Sequence, residues 1–156
     1  MKKKKSIGRI ISIIILALLL FWITGSANTM YAFKDLPSLL FISFISISMI
    51  VFSNQWSDYV RAIKISVGAT EYTTKEFKAS RNAMDLSIKT VFVSGVIGTI
   101  VGLVQLVVLT DDPESIAAGM AVGILTLLYA LIINIVQYAI KSMITKEIIY
   151  RDHEEF

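Results

Sequence analysis

The chain has 156 residues, 55% of them hydrophobic, and a mean hydropathy of +0.70. It is too apolar for an ordinary soluble domain of this length, and too short to add a soluble catalytic domain of usual size. The formal net charge of +3 comes from Lys and Arg clustered beside apolar runs, which is no argument for nucleic acid, and the lack of cysteine excludes disulfides and thiolate chemistry.

Four stretches carry no charged residue: 10–33, 37–55, 90–110 and 116–140. Each has about 20 residues, enough for a helix to cross a hydrocarbon core. The predicted fold is all-α: an integral membrane four-helix protein, one membrane domain over 1–156. Lys2–Lys5 and Arg9 precede the first span. Gly25-Ser26-Ala27, behind the Ile/Leu core of that span, imitates a signal-peptide cleavage site, but cleavage would strand three spans and spoil the charge topology.

The second span opens at Asp35-Leu36-Pro37-Ser38, where Pro37 suits a first helical turn. Its Ile/Ser alternation looks strand-like, yet a lone strand cannot satisfy its backbone in lipid. Ser43, Ser46 and Ser48 are read as packing residues. A short loop, 57–89, follows. Thr73-Thr74-Lys75-Glu76 within it reads as a capping box, and Phe77, Met84 and Ile88 then recur at helical spacing with no breaker. One continuous helix is expected from about Thr74 to about Leu109, projecting its first four turns roughly 20 Å beyond the membrane. Arg61, Lys64, Lys75, Lys78 and Arg81 on this projection form either a phospholipid-facing surface or a docking surface. At the next turn Asp112 is a good helix cap, Pro113 fits the first helical position and Glu114 complements the helix dipole. The tail, 141–156, is a charged, fraying helix end.

Fourteen of the 15 Lys and Arg lie at the N-terminus, in the 57–89 loop or in the tail; only Lys34 lies on the other side. The positive-inside rule therefore places both termini and the middle loop in the cytoplasm. None of the four stretches holds Asp, Glu, Lys, Arg or His. There is no glycine-rich phosphate loop and no recognisable nucleophile–base pair, and His153 is the only histidine, so an enzyme or a histidine metal site is not expected.

Two rows of small and polar residues stand out. Ser94, Gly98, Gly102 and Gln105 share one face of the third span, with Gly95 beside them. Gly119, Gly123, Thr126, Ala130, Asn134 and Gln137 share one face of the fourth. Such rows are either helix-packing seams or the wall of an ion path. Hydroxyls and amides are present at membrane depth, but any titratable relay has to come from another polypeptide.

Gly95-Val-Ile-Gly98-Thr99-Ile-Val-Gly102-Leu103 resembles the third-span motif of the MotA/TolQ/ExbB proton-channel family. Asp112-Pro113, then Gly119 through Thr126-Leu-Leu-Tyr129-Ala130, then Asn134, resembles its fourth span. Asp35-Leu-Pro-Ser38-Leu-Leu is similar to the second-span opening of the flagellar stator (MotA/PomA-like) branch. The resemblance implies a homopentamer whose third and fourth helices line a pore threaded by single-span MotB/ExbD-like partners carrying a membrane aspartate. It implies that Thr99, Thr126, Tyr129 and Asn134 line the ion pathway, and that Gly95, Gly98, Gly102, Gly119, Gly123 and Ala130 pack the pore helices. The transported species would be H+ or Na+, with no cofactor, in the bacterial inner membrane. Three positions depart from the family: Leu127 replaces a second threonine, Gln137-Tyr-Ala139 replaces a proline, and the large rotor-contacting insertion is reduced to the 57–89 loop. A non-conducting scaffold that holds a partner helix is the competing reading.

Overall fold

The computed structural model describes residues 35–69, 71–109 and 113–154. The first span, Lys34, Asp111, Asp112 and the side chains of Gln105 and Glu114 lie outside the described residues. Four helices make up the described chain: α1 (Leu36–Phe52), α2 (Trp56–Val67), α3 (Thr74–Leu109) and α4 (Pro113–Glu154). All belong to one unit, Leu36–Phe156. α3 and α4 are long and apolar enough to cross a membrane, and the α1–α2 pair, bent by 114°, makes a third at most. By helix length and hydropathy the chain is a multi-pass membrane protein.

α1 is helical despite its Ile/Ser alternation, because lipid offers its backbone no other partners. It ends three residues before the second charge-free stretch does. Asn54 adopts φ 54°, its N–H donates to the Val51 carbonyl, and the Gln55 N–H donates to the Ile50 carbonyl. This is a Schellman cap with Asn in the left-handed position. α2 ends in the same way at Gly68, whose φ of 120° favours glycine. The 57–89 segment, expected to be a loop until its second half, thus holds a 12-residue helix of its own.

α3 begins at the expected capping box. The Thr73 N–H donates to Glu76 Oε2 at 2.8 Å, and the Glu76 N–H returns to Thr73 Oγ1 at 3.4 Å. The backbone and side-chain hydrogen bonds from Thr73 hold the Glu76 carboxyl below the usual carboxylate range. α3 spans 36 residues, about 54 Å at 1.5 Å per residue, well beyond a hydrocarbon core of about 30 Å. α4 is longer still, at 42 residues, and starts at Pro113.

The tail does not fray at Lys141, because α4 continues to Glu154 and is held by packing. Ile144 and Ile148 join Phe77, Met84 and Ile88 of α3 and Ala62 and Ile65 of α2 in one apolar cluster. Burying side chains of this size contributes about 1.5–3 kcal/mol each. Arg151 caps the cluster: its Nη1 donates to the Tyr72 carbonyl at 2.8 Å and its guanidinium lies 4.5 Å from the Phe77 ring centroid. Lys78 pairs with Asp152 at 3.3 Å, and Arg61 pairs with Asp58 at 2.6 Å. Two of the five residues of the basic surface expected from the sequence, Arg61 and Lys78, are therefore tied into ion pairs within the chain.

Candidate functional site

The two small-residue rows meet each other. α3 and α4 pack antiparallel, with Gly102 against Gly123, Gly98 against Thr126 and Gly95 against Ala130. The Cα of Gly123 lies 3.5 Å from where a Cβ on Gly102 would sit. A Cβ on Gly98 would come within 2.7 Å of Thr126 Cγ2 and 3.2 Å of the Phe41 ring on α1. A Cβ on Gly95 would collide with the Cβ of Ala130, and one on Gly119 with the flexible Leu106 side chain. Glycine and alanine here let the backbones approach closely, as in membrane helix pairs generally.

Thr99 and Thr126 sit in this seam. Thr99 Oγ1 is 2.9 Å from the Gly95 carbonyl oxygen on its own helix and 2.8 Å from the Gly123 carbonyl oxygen across the seam. Its single proton serves these two acceptors. Thr126 is 3% exposed; its Oγ1 lies 3.1 Å from the Val122 carbonyl oxygen and 2.8 Å from Ser38 Oγ of α1. Ser38 was not among the candidate site residues, although its motif pointed to the second span. Its contact with Thr126, 88 residues away, brings it into the seam.

Toward the charged end the seam stays polar but is less well satisfied. Asn134 and Gln137 are 5% and 6% exposed, and Ser80 and Ser87 are fully buried. Among the described residues Asn134 Oδ1, Gln137 Oε1, Ser80 Oγ and Ser87 Oγ have no hydrogen-bond partner. Ser94, also buried, donates to the Val91 carbonyl oxygen at 2.9 Å. Asn134 also lines a side groove of about 470 Å³ with Ile88, Phe92, Leu131 and Tyr138. Tyr129 is half-buried against the cluster of Ile42, Val91 and Ala130, so α1 closes over this stretch of the seam. Of the α1 serines, Ser46 is buried as a packing residue should be, whereas Ser48 is exposed.

An ion pair closes the charged end. Lys141 Nζ donates to Asp85 Oδ1 at 2.5 Å, and Lys89 lies 3.6 Å from Asp85 Oδ2. The Lys141 hydrogen bond leads in holding the Asp85 carboxyl below its usual range. A depressed carboxylate contributes stability above its unfolded value of about 4, and that contribution fades as pH falls through the lower folded value. The pair is partly exposed, so about 0.5–1 kcal/mol is expected. Thermal unfolding in detergent should show Asp85→Asn less stable than wild type at neutral pH, with the difference shrinking in acid. An equal difference at both pH values would detach Asp85 from this role.

Among the described residues no group of three His, Cys, Asp or Glu is placed to hold a metal. No protein-family model, curated protein or solved structure matches this chain.

Proposed function

We propose that this chain is a stator-like ion-channel subunit. Its homo-oligomer, a pentamer by family resemblance, would couple H+ or Na+ flow to mechanical work through a single-span partner that carries the membrane aspartate. In this reading it resides in the bacterial inner membrane with both termini in the cytoplasm. Thr99, Thr126, Tyr129 and Asn134 border the ion pathway. The motif resemblance of the third and fourth spans to the MotA/TolQ/ExbB family supports this reading.

The observation that carries the reading is the row of unsatisfied oxygens in the α3–α4 seam. A buried polar atom without a partner costs about 1–3 kcal/mol. Leu or Ala at 134 and 137 would pack this seam without leaving those oxygens unpaired. The presence of Asn134 and Gln137 there is accounted for if water, an ion or a partner's carboxylic acid hydrogen-bonds them in the working assembly. The absence of charge inside α1, and in the charge-free stretches of α3 and α4, fits a division of labour in which the partner supplies the acid.

The scaffold reading has its own support. The hydroxyls of Thr99 and Thr126 find acceptors within the chain, and the glycine rows contact each other without a neighbour. Ion flux through the chain reconstituted with its co-purifying single-span subunit separates the two.

A further inference from the structure

α2 carries two apolar faces, and only one is used. Ala62 and Ile65 pack into the cluster with α3 and α4. On the other side Trp56, Val60, Ile63 and Val67 follow one another at intervals of four, three and four, a single helical stripe. Trp56 is 47% exposed, Ile63 41% and Val67 71%, with Val60 half-buried between them.

What covers this stripe follows from where α2 starts. α1 is charge-free, and its last residues, Met49, Val51 and Phe52, are exposed and apolar as lipid-facing residues should be. Three residues later the chain turns by 114° into α2. After that turn α2 cannot continue across the bilayer, and Asp58, Arg61 and Lys64 forbid it from re-entering the hydrocarbon. It is left running along the surface of the leaflet that α1 has just crossed. Trp56 stands at the turn, where an amphipathic ring belongs, its ring stacked on Tyr59 with centroids 6.3 Å apart. Lys64 is exposed beside the stripe, within reach of lipid phosphates.

We propose that α2 is an in-plane membrane helix whose Trp56, Val60, Ile63 and Val67 stripe is immersed in the phospholipid leaflet at which α1 ends. The helix then clamps the projecting ends of α3 and α4 to the membrane surface, through Ala62 and Ile65. This holds whether or not the assembly conducts ions.

The chain contains no cysteine, so single cysteines can be placed and spin-labelled directly. Labels at Ile63→Cys and Val67→Cys, with Ser57→Cys and Lys64→Cys as counterparts, would be measured in phosphatidylethanolamine/phosphatidylglycerol vesicles. Labels at 63 and 67 should collide several-fold more with dissolved oxygen than with a water-soluble nickel chelate, and those at 57 and 64 the reverse. Nickel-accessible labels at all four positions would overturn the proposal. So would immobilised labels at 63 and 67 shielded from both reagents, which would mean that protein, such as a neighbouring copy, covers the stripe. An independent reading uses Trp22→Phe, which leaves Trp56 as the only tryptophan. Lipid brominated near the headgroup should quench Trp56 more than lipid brominated near the chain end, and no quenching by either would contradict immersion.

Discussion

Gly95→Ala should destabilise the protein by about 1–3 kcal/mol, although alanine is the better helix former by about 1 kcal/mol. The added methyl has nowhere to go: it meets the Cβ of Ala130, which is fixed to its backbone and has no rotamer to change. Relief requires α3 and α4 to separate, and the loss then spreads along the seam. Gly98→Ala should cost less, because Thr126 Cγ2 and the Phe41 ring can give by small side-chain shifts. Gly102→Ala and Gly123→Ala place the methyl in ordinary contact at about 3.5 Å and should be nearly neutral. Thermal unfolding of the four variants in detergent gives the order. Ala130→Gly should rescue Gly95→Ala, since it removes the obstructing atom. Equal midpoints for Gly95→Ala and Gly102→Ala would mean that the α3–α4 register differs from the one described.

Thr99→Ala and Thr126→Ala should leave the oligomer intact and reduce ion flux by about fivefold or more. Each change removes a hydroxyl with little loss of volume, so the glycine contacts beside it survive. What disappears is an oxygen at membrane depth that can exchange its acceptor in the chain for water, an ion or a carboxylic acid. A lost hydrogen bond of about 1–3 kcal/mol in the transport barrier is a factor of roughly five to 150. The two variants should differ in one respect. Thr126→Ala also releases Ser38 of α1, whereas Thr99→Ala gives up a bond to the Gly123 carbonyl across the α3–α4 seam. Flux in proton and in sodium gradients, with oligomer yield on native gels, reads both effects. Unchanged flux in both gradients would remove the two threonines from the pathway.

The seam residues were legible in the sequence because small and polar side chains at three- and four-residue spacing have few uses in a membrane helix. What those faces touch was not legible: a glycine row packs equally well on its own chain or on a neighbour's. The contacts of Gly95 with Ala130 and of Gly98 with Thr126 depend on register, which no local pattern encodes. α3 was readable from Thr73 and Glu76, whose cap is local and self-contained. α2 was missed because its charges resemble a loop, although the Trp56–Val67 stripe and the Gly68 stop were present. The persistence of α4 to Glu154 was hidden for a different reason. Ile144, Ile148 and Arg151 hold that helix through α2, α3 and Tyr72, so its stability is tertiary and not a matter of propensity. Ser38 meets Thr126 only when α1 lies against α4.

In the proposed function, ions cross the membrane through this chain's assembly on an acid lent by a single-span partner. The direct measurement purifies the chain together with any single-span subunit that co-purifies with it, weighs the intact complex, and reconstitutes it in vesicles under a proton or a sodium gradient. Several copies of the chain around the partner, and a flux in one of the two gradients, are the expected result. That flux should be abolished when the partner's membrane aspartate becomes asparagine. A complex of the same composition that passes neither ion, with or without that aspartate, would contradict the account and leave a scaffold.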